Sequence, residues 1–169
     1  MSGLPVDGLP VTCSTKTRNW SELCGSLLGR VPPANYLKGA RVKTKWLRDN
    51  FSVVPDNVNE FTLIQYARAY ILMLVGGCLF SDVSGTWMYL AFLPLLDNFC
   101  EIRTYSWGGA ALAYLYRQLC GASVRGAKEM AGPVILLQLW AYEHITFTSP
   151  EIRRIIPTVE WHSLPLGYR

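Results

Sequence analysis

The chain has 169 residues, of which 50% are hydrophobic and 17% are charged, a composition that excludes a largely disordered protein and fits one domain with a substantial core. Five cysteines and two histidines are scattered without a C-x-x-C pair, which argues against a disulfide framework or a zinc site of recognisable spacing. The first residues lack a basic start followed by an apolar stretch, so they do not predict a signal peptide.

The formal net charge of +4 is unevenly distributed. Between Lys16 and Arg48 lie eight basic residues and one acidic residue, so this third of the chain carries +7 and the remainder carries −3. Such asymmetry indicates an anionic partner, although it does not identify one.

The N-terminal third predicts two helices after an irregular start. Residues 1–18 are rich in Gly, Pro, Ser and Thr and predict an extended lead-in. Asn19 with Glu22 forms the pattern of a helix cap and predicts a helix over Trp20–Leu28. A second helix is predicted over Gly39–Phe51, where apolar residues line one side.

A basic segment, defined here as residues 38–48, overlaps this second predicted helix. Arg41, Lys45 and Arg48 recur at helical spacing and would form one stripe, which could follow a phosphate backbone. A solvated helix face has the same appearance, so plain surface remains the alternative. The candidate anion-contacting or nucleic-acid-contacting residues are Lys38, Arg41, Lys43, Lys45 and Arg48.

The stretch Asn59–Gly85 predicts the central helix of the fold. Its apolar face is formed by Ile64, Ala67, Ile71, Leu74 and Cys78, which recur at steps of three and four. Gln65 and Arg68 fall on the polar side, whereas Ala69–Phe80 carries no charge and is therefore expected to be buried all round. A membrane span needs about 20 apolar residues, so this shorter run favours a core helix and no transmembrane segment is predicted.

The second half of the chain completes a mainly α fold. We expect a single helical domain over 19–144, a short extended or hairpin segment near 81–90, and an irregular proline-containing tail over 145–169. The predicted elements are a strand at Thr86–Leu90, a short helix within Phe92–Phe99, and longer helices over Tyr105–Ser123 and Pro133–His144.

Catalytic patterns are not visible in the sequence. Neither His144 nor His162 lies beside a nucleophile elbow, and no phosphate-binding glycine loop occurs. Nothing in the spacing of the acidic residues brings two of them together; those considered are Asp82, Asp97, Glu101 and Glu143. The sequence therefore predicts no catalytic residues, no metal site and no cofactor.

Several long segments resemble one known family, in the same order along the chain. They are QYARAYILMLVGGCLFSDVSG (Gln65–Gly85), FLPLLDNF (Phe92–Phe99), YSWGGAALAYLYRQLCGAS (Tyr105–Ser123) and LLQLWAYEH (Leu136–His144), with VDGLPVT (Val6–Thr12) and KTKWLRDNF (Lys43–Phe51). These resemble the plant mobile domain, which occurs in MAIN-like proteins, in the long form of a plant serine/threonine phosphatase and in some Mutator-like transposable elements.

The resemblance implies a non-catalytic nuclear interaction domain with protein partners and a role in meristem maintenance, genome stability or transposon silencing. The alternative is a nucleic-acid-binding module of transposon origin that uses the basic segment. Members are also called aminotransferase-like or phosphatase long form, but the sequence has neither a supported Schiff-base lysine nor clustered metal ligands. We expect no membrane association and no small-molecule substrate. Family domains usually extend beyond both ends, so a truncated copy is also expected.

Overall fold

The computed structural model describes residues 4–13, 19–127 and 129–145, and helices dominate these ranges, which confirms the predicted mainly α class. The α-helices are α1 (Trp20–Leu28), α2 (Thr44–Phe51), α3 (Glu60–Leu74), α4 (Phe99–Ile102), α5 (Trp107–Ala122) and α6 (Val134–His144). A 3-10 turn covers Ala34–Tyr36, a π-helical turn covers Val75–Leu79, and a 3-10 helix covers Leu90–Leu96. The short strands β1 (Leu37–Lys38), β2 (Arg41–Lys43) and β3 (Trp87–Tyr89) form one antiparallel sheet in the order β1-β2-β3.

Helix α1 begins and ends where the sequence predicts. The Asn19 side chain accepts a hydrogen bond from the amide of Glu22 at 3.3 Å, which satisfies one of the free amides of the first turn. The helix ends at Gly29, which adopts the left-handed conformation with φ of 71° that glycine enters without a steric penalty. Helix α1 and its cap are thus confirmed.

Helix α3 occupies the centre of the fold, as predicted. It begins at Asn59, whose side chain accepts a hydrogen bond from the amide of Thr62 at 2.8 Å. Its buried face is formed by Tyr66, Ala69 and Leu72, which follow the three-residue spacing of one helix face. This is not the apolar face that the sequence predicts, since Leu74 and Cys78 of that face are exposed. Helices α1 and α2 and the 3-10 helix all contact α3, so the main core is assembled around it.

The prediction that the second half of α3 is buried all round is wrong. Tyr70 and Leu74 are 53% and 55% exposed, and Cys78 in the π-helical turn is also exposed. The absence of charge reflects apolar composition on every side, whereas the neighbouring elements cover only part of the helix. By length and composition alone, Glu60–Leu79 is also able to cross a membrane, but core helices of soluble proteins satisfy the same criterion.

Arg68, expected on the polar side of α3, is buried with 9% exposure. Its Nη1 donates to the carbonyl of Leu27 at 3.2 Å, its Nε to that of Leu96 at 3.1 Å, and its Nη2 to that of Asp97 at 2.7 Å. These carbonyls lie at the C-terminal ends of α1 and the 3-10 helix, where helical partners are missing and partial negative charge accumulates. Arg68 therefore joins the ends of two helices to α3.

The predicted helix over Gly39–Phe51 is correct only from Thr44 onward. The preceding residues form a hairpin that turns at Gly39, where φ is 58°, and Val42 of β2 pairs with Met88 of β3. Both of these apolar side chains are buried. The side chains of Arg41–Lys43 therefore alternate between the two faces of the sheet, with the period of two that is typical of a strand. The helical spacing of the basic residues in the sequence is coincidental. The predicted extended segment near 81–90 is confirmed as β3, whose pairing with β2 was not predicted.

The N-terminal segment packs against the start of α5. The carbonyl of Pro5 accepts from the amide of Gly108, and the amide of Leu9 donates to the carbonyl of Thr104, both at 2.8 Å. Ser106 directly precedes α5 but does not cap it through its side chain, because its hydroxyl donates to the carbonyl of Val6. The helix itself, predicted over Tyr105–Ser123, is confirmed with slightly shorter limits.

The remaining helices differ more from expectation. The 3-10 helix begins before the predicted Phe92–Phe99 segment and contains Pro94 in its interior, and the short helix α4 was not predicted. The chain forms two compact units, Met1–Val134 and Ile135–Arg169. In the second unit the structure describes most of α6, which confirms the last predicted helix. The predicted tail over 145–169 lies outside the described residues apart from Ile145.

Candidate functional site

The outward-facing side of the small sheet gathers basic and aromatic side chains. Val42 and Met88 face the core, so the neighbouring residues of β2 and β3 project to the other side. On that side Arg41 pairs across the strands with Tyr89, and Lys43 pairs with Trp87. We call this surface the basic–aromatic face; it consists of Tyr36, Lys38, Arg41, Lys43, Trp87 and Tyr89.

The cations of this face lie over its aromatic rings. The guanidinium carbon of Arg41 is 6.0 Å from the ring centre of Trp87 and 5.9 Å from that of Tyr89. The ammonium nitrogen of Lys43 is 5.7 Å from the ring centre of Trp87 and 5.4 Å from that of Tyr36. These distances fall within the range of cation–π attraction. The rings therefore hold the two cations at defined positions on the surface.

The structure separates the predicted basic stripe into two groups. Lys38 is the cross-strand partner of Arg41 and shares the face of the sheet, whereas Lys45 and Arg48 lie exposed on α2. The stripe predicted from helical spacing is therefore wrong, because Arg41 lies in a strand.

None of these predicted cations is neutralised by a carboxylate in the part of the chain that the structure describes. Within residues 4–13, 19–127 and 129–145, the ion pair found joins Arg68 to Asp97, and neither of its members belongs to the basic segment. The basic–aromatic face consequently presents positive charge that remains available to an anionic partner.

The aromatic members of the face were missed by the sequence reasoning. A signal was present: Arg41-Val42-Lys43 and Trp87-Met88-Tyr89 share the pattern of an apolar residue between two polar or aromatic ones. That alternation is typical of a strand with one buried face. It does not, however, reveal that these two segments pair with each other.

A second exposed surface follows the outer side of α3. Leu63, Tyr70 and Leu74 are 50%, 53% and 55% exposed and are separated by seven and four residues, which places them on one face of the helix. We call this surface the apolar seam. At its C-terminal end a shallow depression is lined by Tyr70, Leu74 and the side chain of Arg48, among others.

Neither Cys13 nor Cys24 is suited to nucleophilic chemistry, and the described residues contain no metal-binding cluster. Burial raises the pKa of the Cys24 thiol to about 12, and burial also raises the pKa of Cys13, so both thiols are protonated and weakly nucleophilic near neutral pH. Across 4–13, 19–127 and 129–145, no group of three or more His, Cys, Asp or Glu residues could hold a metal ion.

Comparison with known proteins gives a consistent result. The family model described as "Plant mobile domain" matches residues 1–166. The chain is 47% identical to "Serine/threonine-protein phosphatase 7 long form homolog" of Arabidopsis thaliana, over 88% of this chain and 11% of that protein. It is 41% identical to "Protein MAIN-LIKE 2" and 36% identical to "Protein MAINTENANCE OF MERISTEMS" of the same organism, covering 90% and 88% of this chain but 23% and 31% of those proteins.

No solved structure matches the chain. The chain spans less than a third of the length of each of these curated relatives, so their names describe much larger proteins. The matched region nevertheless covers nearly all of this sequence and confirms the resemblance found in its motifs. The chain belongs to the plant mobile domain family.

Proposed function

We propose that this chain is a non-catalytic interaction domain that acts in the nucleus and binds protein partners through its helical surfaces. Its family supports this proposal, and the name of one relative, MAINTENANCE OF MERISTEMS, supports a role in meristem maintenance, with genome stability or transposon silencing as related roles. The phosphatase name belongs to a protein of which this chain covers 11%. That name therefore does not carry phosphatase activity to this chain.

The observation that carries the proposal is the apolar seam on α3. Side chains of this size that remain half exposed in a row mark a surface that is covered when the protein functions. The spacing of seven and four residues matches the period at which two helices pack together. Arg48, which has no carboxylate partner among the described residues, stands at one end of the seam. The occupant that fits is an amphipathic partner helix with an apolar stripe and an acidic residue facing Arg48.

Site-specific photo-cross-linking tests this proposal. With photo-reactive benzoylphenylalanine in place of Tyr70, the protein expressed in plant nuclei is expected to form a discrete adduct, because this position would lie within the partner's footprint. The same residue at Val31, which is 59% exposed in the segment after α1, is the matched control and is expected to form none. Mass spectrometry of the adduct should locate the cross-link in an amphipathic helix with an acidic flank.

A second pair of variants tests the same contact. Leu74→Ser and Arg48→Glu should each weaken the adduct, since the first removes apolar contact and the second reverses the charge at the end of the seam. Equal adducts at positions 70 and 31, or an adduct that neither variant weakens, would contradict the proposal.

The basic–aromatic face favours a second candidate function, nucleic-acid binding. Unpaired cations attract phosphates, and aromatic rings between them offer stacking surfaces for unpaired bases. This combination fits a single strand, because the bases of a duplex are already stacked on one another. Only part of the basic segment belongs to this candidate site. Arg41 and Lys43 would bind together with Trp87 and Tyr89, whereas Lys45 and Arg48 lie on α2.

Matched charge variants distinguish this candidate. The affinity for a single-stranded oligonucleotide falls as the salt concentration rises. Arg41→Gln with Lys43→Gln is expected to make the negative slope of log affinity against log salt less steep by about 1.4, the value for two lost phosphate contacts. Lys45→Gln with Arg48→Gln removes the same charge from α2 and should leave the slope unchanged. Fluorescence anisotropy at several salt concentrations measures both. Equal effects of the two pairs would indicate non-specific attraction, and no effect of either would reject the candidate.

A further inference from the structure

A cleft of about 530 Å³ runs beside α5, apart from the apolar seam. One wall is formed by a single face of α5, because its members recur at three- and four-residue steps along the helix. These members are Ala110, Ala113, Tyr114, Arg117 and Gln118. Phe80, Tyr89 and Phe92 also line the cleft. The volume of the cleft lies in the range of ligand-binding sites, but the cleft is open to solvent, which suits part of an extended chain better than an enclosed small molecule.

The floor of the cleft is apolar and already in place. The rings of Phe80 and Phe92 are stacked with centres 4.6 Å apart, and Tyr114 meets Phe80 edge-on at 5.4 Å. The Tyr114 hydroxyl donates to the carbonyl of Ser81 at 3.2 Å, which fixes this ring. Ala113 on the facing helix is small and exposed. The floor is therefore preorganised to receive one bulky apolar side chain, with little ordering cost on the protein side.

The rim of the cleft adds two polar groups of defined chemistry. In the ranges described, Arg117 makes neither a side-chain hydrogen bond nor an ion pair, and the amide of Gln118 has no hydrogen-bond partner. The guanidinium favours a carboxylate. The amide can both donate to and accept from a peptide group. Asp82 acts electrostatically on Tyr114 but is not part of the lining. Among the described residues that line the cleft, the cation is Arg117.

We infer that this cleft binds a linear peptide segment of a partner protein, in which a bulky apolar side chain lies next to a carboxylate. The apolar side chain rests on Phe80 and Phe92, the carboxylate pairs with Arg117, and the peptide group between them bonds to Gln118. This contact is separate from the apolar seam and specifies the chemistry of a second partner segment. It rests on the proposed interaction function.

Two synthetic peptides test the inference with the full 169-residue chain. They are acetylated and amidated Gly-Gly-Phe-Asp-Gly-Gly and the same peptide with Asn in place of Asp, titrated against isotope-labelled protein with backbone amide shifts as the readout. The Asp peptide is expected to bind about threefold more tightly, as for an accessible ion pair, and the shifted amides should lie on α5 around Ala113 and Tyr114. Weak binding is sufficient, because the method measures millimolar dissociation constants.

Two variants and one control complete the design. Arg117→Gln should make the two peptides bind equally, whereas Ala113→Phe should weaken both by filling the cleft. Arg125→Gln removes an exposed charge beyond the end of α5 and should keep the preference for Asp. Equal binding of both peptides to the unaltered chain, shifts away from α5, or no binding at all would overturn the inference. Each of these results is independent of the cross-link at position 70, so failure of the cleft and failure of the proposed function remain distinguishable.

Discussion

Arg68→Met is expected to lower the free energy of unfolding by about 3–4 kcal/mol, although most of the other residues of α3 are apolar. The substitution preserves an unbranched side chain of similar reach but leaves the carbonyls of Leu27, Leu96 and Asp97 without their donor. A buried unsatisfied acceptor costs about 1–3 kcal/mol before relaxation. The bond to Leu96 is buried, whereas the bonds to Leu27 and Asp97 are partly buried and their acceptors cost less. Urea unfolding followed by circular dichroism measures the loss.

Asp97→Asn is the matched control for this prediction. Asp97 forms the ion pair with Arg68 at 3.3 Å, but its side chain is 65% exposed, and pairs screened by water contribute about 0–1 kcal/mol. A change below about 1 kcal/mol is therefore expected. If the Asn variant were as damaging as the Met variant, the ion pair and not the carbonyl contacts would be the source of the stability. Arg68→Lys keeps the charge without the fork of donors and should lie between the two.

Phe51→Ala should cost about 3–4 kcal/mol of unfolding free energy, within the range for emptying a buried aromatic site. Phe51 is 1% exposed. Its ring meets Trp46 and Tyr66 edge-on, with ring centres 5.8 and 5.3 Å apart, and Arg30 lies over it at 5.4 Å. The alanine variant loses the transfer free energy of the ring and leaves a cavity between α2 and α3. Thermal and urea unfolding should both show the loss.

Phe61 provides a control of identical chemistry. It lies in the first turn of α3 and is 61% exposed, so Phe61→Ala should change stability by less than about 0.5 kcal/mol. Comparable losses at the two positions would show that the exposed side of α3 is already covered in solution, for example by a second copy of the chain. A concentration-dependent unfolding midpoint would identify that case.

The helices with strong local signals were predictable from sequence. Helix α1 is defined by Asn19 at its start and Gly29 at its end, and both act through contacts within a few residues. The sheet was not predictable in the same way, because β2 is stabilised by β3, which lies far along the chain. Arg41-Val42-Lys43 satisfies both helical and extended patterns until Met88 is brought opposite Val42.

Arg68 shows a second limit of sequence reasoning. An arginine within a helix is ordinarily placed on the solvated side, because burial of its charge is costly. Here the cost is offset by hydrogen bonds to carbonyls at the ends of α1 and the 3-10 helix. Both helices are distant from Arg68 in sequence, so the residues around Arg68 do not predict these bonds. The candidate site shows the same limit. Its cations are visible in the sequence, whereas the position of the aromatic rings beside them depends on the pairing of β2 with β3.

The docking of the N-terminal segment has a consequence for biosynthesis. Val6 and Ser106, which are joined by a hydrogen bond, are 100 residues apart, and the amide of Gly108 binds the carbonyl of Pro5. The ribosome delivers the first of these partners long before the second, since chains emerge from their N-terminus onward. Residues 5–9 must therefore wait for the start of α5 to emerge. Their contacts form only after about 100 further residues have been synthesised.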